Sequence, residues 1–285
     1  NYEAIALTLK AYAFSMLTDV FGDVPMVEAA RGEEDIFFPE YSKQEDIYKT
    51  ILEDLERANS LYDISEGMVY TEDILFFNDV SKWQKFTNSL HLRLLLRLSK
   101  RTEMDVFDKM KNIINNPTKY PVFTSNDDAA VLQITGVAPN LSPWDRPSDF
   151  SVFRYYCEFF VDNMNNFNDP RLQIFATVAR GLNDENYGYI GQPIDQRNNP
   201  LPDSIATPSG VNNNQVIAPM IIPILTYGEV ELIKAELAQR GYISDGKIHY
   251  ENGTKAAMEL WGAEVPDGYF DNEFILFIYF LVYQK

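Results

Sequence analysis

Apolar side chains recur at spacings of three and four through most of this chain, the mark of helices with one buried stripe. Between residues 2 and 20 the stripe reads Ala4, Leu7, Ala11, Phe14 and Leu17, and Gly22 with Pro25 stop the helix. A second helix is predicted to open on a capping box, Ser42 with Glu45. Its buried face is Ile47, Ile51, Leu55, Ala58 and Tyr62, and its wet face is Glu53, Asp54, Glu56 and Arg57. A third starts at Ser81 with Gln84 and carries Trp83, Phe86, Leu90, Leu94 and Leu98. From Leu90 to Leu98 it is apolar nearly all round, which predicts a deep position in a bundle. Toward the end, Thr226 with Glu229 forms another box, Val230, Ile233, Leu237 and Ala238 face inward, and Gly241 ends the helix. A partner helix over 245–261 ends at Gly262. With Ala235, Ala238, Ala256 and Ala257 this pair is expected to pack antiparallel, Ala235 or Ala238 at the closest approach. Such a hairpin is tetratricopeptide-like, although no strict repeat of about 34 residues is visible.

Two stretches break the period. From 115 to 149, and again from 166 to 223, Pro, Asn, Asp and Gly dominate, with a fourth helix expected between them at 149–165. Loops of this length inside a helical protein tend to carry function. Short strands are expected near Val131–Ile134 and Tyr187–Ile190. The predicted fold is therefore all-α dominated: a tetratricopeptide-like helical-hairpin array with long irregular surface loops.

Composition narrows the chemistry. Acidic residues outnumber basic ones 42 to 24, a net charge of −18. That surface repels nucleic acid and anionic headgroups, so neither is an expected partner. The single cysteine, Cys157, is spaced with Phe153, Tyr156 and Phe160 like part of a helix face and is expected to be a small buried hydrophobe. A thiol catalyst would need His91 or His249 as its base. Asp127 and Asp128 are adjacent but lack the alternating oxygen ligands of a calcium loop, and no metal or cofactor motif is present. The apolar run Phe274 to Tyr283 is about ten residues long, too short for a bilayer, and reads as a buried terminal segment.

Five segments, in order, resemble the SusD/RagB-like family of Bacteroidetes. They are AYAFSMLTDVFGDVPMVE at 11–28, YSKQEDIYKTILEDLERANSLY at 41–62, DVSKWQKFTNSLHLRLLLRLSKR at 79–101, NDPRL at 168–172 and TYGEVELIKAELAQRG at 226–241. The resemblance implies a right-handed array of tetratricopeptide-like helix pairs. It implies a non-enzymatic glycan-binding role on the outer-membrane surface, capturing oligosaccharide for a TonB-dependent SusC-like transporter. Attachment to the membrane would be through an N-terminal lipid only. It further implies that residues 1–285 are a single helical domain without the family's lipidated segment and part of its C-terminal region.

A sugar ring offers apolar C–H faces and a rim of hydroxyls, so its site needs an aromatic platform among hydrogen-bonding side chains. Asn140, Trp144, Asp145 and Arg146 supply these in one loop, unless Trp144 plugs that loop onto the core. Tyr187 and Tyr189, with Asn186, Gln192, Asp195 and Arg197, are the second candidate, the plainer alternative being an ordered surface loop. Trp83 is expected in the core. Asn88 and Arg93 are expected to bond backbone carbonyls between helices, and Arg171 to pair with an acid in a turn. Two other classes stay open on sequence alone: a helical-repeat scaffold for a peptide or protein, and a glycoside hydrolase, for which no carboxylate pair stands out.

Overall fold

The computed structural model describes residues 1–142 and 154–271. Helices dominate: α1 (Tyr2–Phe21), α2 (Gln44–Leu61), α3 (Val80–Arg97), α4 (Val106–Asn115), α5 (Glu158–Asn166), the single turn α6 (Leu172–Phe175), α7 (Tyr227–Gln239) and α8 (Gly246–Glu259). Two small two-stranded sheets accompany them, β1 (Val24–Pro25) with β2 (Tyr41–Ser42), antiparallel, and β3 (Ala130–Ile134) with β4 (Met220–Leu225). The chain divides into two compact units, Asn1–Ala130 with Leu225–Gly246, and Val131–Ile224 with Lys247–Lys285.

The first unit is built around α3. Trp83, Phe86, Leu90, Leu92, Leu94 and Leu95 are all buried, as the near-continuous apolar run requires. From α2, Ile47, Ile51, Leu55 and Ala58 are fully buried. A polar seam ties α3 to both neighbours: the Thr8 and Thr87 hydroxyls lie 2.7 Å apart, and the Tyr62 hydroxyl is 3.0 Å from Thr87. Asn88 donates to the backbone carbonyl of Pro121 at 2.9 Å and to Asn59 Oδ1 at 2.8 Å, the bridging role expected of it. Arg93 instead forms a two-pronged ion pair with Glu229 at 2.5 and 2.6 Å, fastening α7 to α3. A planar guanidinium matches a carboxylate better than it matches single carbonyls.

Some expectations are corrected. The inward face of α1 is Ala4, Thr8, Ala11, Ser15 and Thr18; Leu7 and Phe14 are only half-buried and Leu17 is exposed. A helix that is apolar nearly all round does not declare its face by periodicity, and here the small residues are the ones that admit α2. Ser42 does not cap α2. Its first amide, on Gln44, donates to Asp23 Oδ1 at 2.9 Å. Nor does Ser81 cap α3, because Asp79 accepts from the amides of Ser81 and Lys82. The box at Thr226 is present, its hydroxyl accepting from the Glu229 amide at 3.1 Å. At the other end of α7, Gly241 at φ +80° and Tyr242 donate back to Ala238 and Leu237, a complete Schellman stop.

Ala235 is buried and Ala238 half-buried, and α7 and α8 fall in different units. The helix α4 is an element that the periodicity reading does not include. The strand at 130–134 is present as expected, and β4 is an addition. Pro223 hides β4 in the sequence and is tolerated because a two-stranded sheet has only edges. The run Phe274 to Tyr283, and the part of the expected fourth helix from 149 to 153, lie outside the described residues.

Candidate functional site

The second unit carries most of the irregular stretches. Its backbone there is satisfied by a patchwork of single bridges rather than by continuous strands. Tyr156 donates to the Ser209 carbonyl and Gln192 to the Tyr156 carbonyl, while Tyr187 donates to Ala179 and Ala206 to Arg180. Ser209 is wholly buried, and its hydroxyl accepts from the Ile190 amide at 3.0 Å. The expected strand at 187–190 is interrupted because Gly188 adopts φ +74°. The same patchwork corrects Cys157. It sits half-buried as the residue before α5, between Tyr156 and Glu158, both bonded into the ladder, and not on a helix face. Gly191 passes so close to α5 that a Cβ would lie 2.5 Å from Glu158 Cα and 2.6 Å from the Cys157 carbonyl oxygen.

This backbone presents the two tyrosines differently. Tyr187 is exposed, its ring edge close over Gly181. Tyr189 is half-buried and packs on Val161, Met164, Leu172 and Ala176. One side of it lines a shallow hollow of about 220 Å³ shared with Asn165, Asn168, Asp169, Leu172 and Gln173. Asn165, Asn168 and Gln173 are exposed, and Asn165 Nδ2 also donates to the Tyr189 carbonyl at 3.2 Å. Tyr187 is not among the residues lining this hollow.

Asp169 forms the floor. It is buried and held by Arg171 through two bonds of 2.9 and 2.6 Å, the acid–base turn that the sequence suggested. Burial, and after it the Asp169 carboxylate, pushes the nearby Tyr269 hydroxyl up to about 12, so it stays a neutral phenol. The arrangement offers a ring face beside amide donors and acceptors, without a free charge on the floor. That is hydrogen-bonding chemistry suited to hydroxyls.

Of the other candidates, Asn140 lies in a tight turn after the cis bond Ala138–Pro139, half-buried, its Oδ1 without a hydrogen-bond partner. Trp144, Asp145 and Arg146 lie outside the described residues. Asn165, Asn168 and Gln173 are residues that the sequence reading passed over. The signal available was the run of amides immediately before Asp169-Pro170-Arg171-Leu172 for Asn165 and Asn168, and the amide directly after it for Gln173.

Two hollows belong to the first unit. One, of about 480 Å³, is lined by Asp19, Gln44, Tyr48, Arg97 and Arg101 among others. There Tyr48 donates to Asp19 Oδ1 at 2.6 Å, and burial together with Asp19 raises the tyrosine to about 12. The other, of about 290 Å³, lies among Leu52, Leu95, Ile113 and Tyr120, with the buried His91 in its wall. Among the described residues no cluster of three or more His, Cys, Asp or Glu side chains is placed to hold a metal ion, and Asp128 is paired with Lys85 at 2.8 Å.

The helix-dominated fold and the amide-lined hollow are of a kind with one family. Residues 1–279 match the SusD-like family described as starch-binding and associating with the outer membrane, and the chain belongs to that family. No curated protein sequence matches it. Among solved structures, a Bacteroides vulgatus protein whose name associates it with the outer membrane and nutrient binding superposes with TM-score 0.79 at 25% identity, over 98% of this chain and 64% of its own. A SusD homologue from Bacteroides fragilis gives 0.74 at 25% identity, over 98% of this chain and 62% of its own. A chitin-binding protein gives 0.76 at 25% identity, over 98% and 65%. This chain thus spans less than two thirds of the length of each of these structures. The family is an outer-membrane one, in agreement with the localisation that the sequence resemblance implies.

Proposed function

We propose that the chain is a glycan-capturing, non-catalytic protein of the outer-membrane surface that hands oligosaccharide to a TonB-dependent SusC-like transporter. Membership of a family described as starch-binding supports the ligand class. The observation that carries it here is the hollow beside Tyr189, where an aromatic face meets Asn165, Asn168 and Gln173. The proposed contact set also includes Asn140, Trp144, Asp145, Arg146 and Tyr187. A neutral ligand fits both the amide lining and the strongly acidic whole.

Stacking on one ring contributes roughly 1–3 kcal/mol, and with hydrogen bonds from the amides around it the expected single-site affinity is on the order of micromolar to millimolar. The test is a glycan screen with purified protein, followed by calorimetry on the best oligosaccharide. Tyr189→Ala and Trp144→Ala are each expected to weaken binding about tenfold or more. Full affinity in both folded variants would move the site elsewhere. Release of reducing sugar by the pure protein would overturn the non-catalytic reading. Co-purification with a TonB-dependent SusC-like transporter tests the partnership.

A further inference from the structure

Helices α2 and α4 both pack on α3, and the hollow of about 290 Å³ in the first unit is a pit lined by all three. Its apolar walls are Leu52 of α2, Leu95 of α3 and Ile113 of α4, all buried. Tyr120 shuts it where its hydroxyl donates to Glu56 at 2.7 Å. Met104 stands toward the other end of α2, where it also lines the hollow beside Tyr48. His91, one helical turn before Leu95, is in the same wall. It is 7% exposed, and its Nδ1 has no hydrogen-bond partner among the described residues. A buried polar atom left unpaired is destabilising, so something outside the helices is called for to satisfy this ring.

The rim says what that is not. Lys49, Glu53, Lys109 and Asn112 surround the opening and are all exposed. Covering them with more polypeptide would strip the solvation from their charges, and a pit shut at both ends gives a passing segment no way through. A small molecule that drops below the rim meets neither obstacle.

We infer that the pit binds a small phenol, with its ring among Leu52, Leu95 and Ile113 and its hydroxyl hydrogen-bonded to His91. The apolar walls ask for a hydrocarbon body with few polar groups, and the Met104 thioether favours an aromatic one. The imidazole in the wall asks for one hydroxyl. A hydroxyl can donate to the bare nitrogen of a neutral imidazole or accept from its N–H, so it matches either tautomer. Burial holds the ring neutral, with its pKa pushed down from 6.5 to about 4, so it offers no charge to draw a carboxylate. A sugar, hydroxylated all round, would leave most of its hydroxyls unpaired against leucine and isoleucine. That separates this pit from the amide-lined hollow beside Tyr189, which belongs to the other unit.

Calorimetry on the purified protein with 4-ethylphenol and with ethylbenzene tests this. The phenol is expected to bind with a dissociation constant on the order of 0.1–1 mM, about tenfold tighter than the hydrocarbon. His91→Phe is expected to erase that preference. A second readout needs no change at His91. The chain has two histidines, so a His249→Gln chain leaves the ring nitrogens of His91 as the only imidazole signals in a nitrogen-15 spectrum. They should shift far more with the phenol than with ethylbenzene. Absence of binding, equal affinity for the two probes, a preference that survives in folded His91→Phe, or His91 nitrogens that do not move would each overturn the inference.

Discussion

His91 shows how far one side chain can be at odds with its surroundings. It is buried on α3 with Nδ1 unbonded, and burial, reinforced by Lys109 and opposed by Glu56, pushes its pKa down from 6.5 to about 4. The unfolded chain therefore binds the proton first as pH falls. The neutral imidazole contributes fully above about pH 6.5 and loses about 3 kcal/mol of relative stability by pH 4. Urea midpoints measured across that window should fall with pH, and His91→Phe should flatten the slope while leaving pH 7 stability equal or higher, since an unsatisfied polar group is removed. A wild-type midpoint constant from pH 6.5 to 4 would contradict this. Gly191 is the opposite case, a residue that fits because it has no side chain. Gly191→Ala should cost about 1–3 kcal/mol through the clash with the backbone at 157 and 158. It should also weaken glycan binding, because the displaced segment carries Tyr189. An unchanged melting temperature would show that α5 yields.

At the scale of elements, periodicity located the helices better than their ends and faces. The deep position of α3 was legible because an uninterrupted apolar run leaves no wet side. The inward face of α1 was not, because Leu9, Met16 and Val20 are as apolar as what it buries. Caps were legible only where donor and acceptor are neighbours in sequence. Thr226 qualifies, but the acceptor for α2 is Asp23, which the local motif Ser42-to-Glu45 conceals. Two stability comparisons follow. Thr226→Ala should lower stability by about 1 kcal/mol, and Asp23→Ala should cost more than Ser42→Ala, which should stay within about 0.5 kcal/mol of the parent. Denaturant midpoints decide both, and a larger loss at Ser42 would restore the sequence reading. The strand expected at 187–190 failed for a related reason. Its partners come from distant residues such as Ala179 and Ser209, and only Gly188 hinted at a break.

For the whole molecule, motif order was enough to give the family, whereas the candidate site was only half legible. Tyr189 was named from its residue type, whereas Asn165, Asn168 and Gln173 join it through folding that no spacing announces. Charge gives a prediction at this scale. Affinity for a neutral oligosaccharide should stay level between about 0.05 and 0.5 M salt, whereas a sulfated or uronate-rich glycan should bind weakly and improve as salt screens the repulsion. Titrations across that range read it directly, and the reverse order would place an anion site on the chain. The pairing of Arg93 with Glu229 has a further consequence. It joins residues 136 apart, so α7 can take its place on α3 only after the chain has closed a loop whose entropy opposes it by about 4 kcal/mol. In hydrogen-exchange terms α7 should form a separate, less protected foldon than α2 and α3, opening first and closing last.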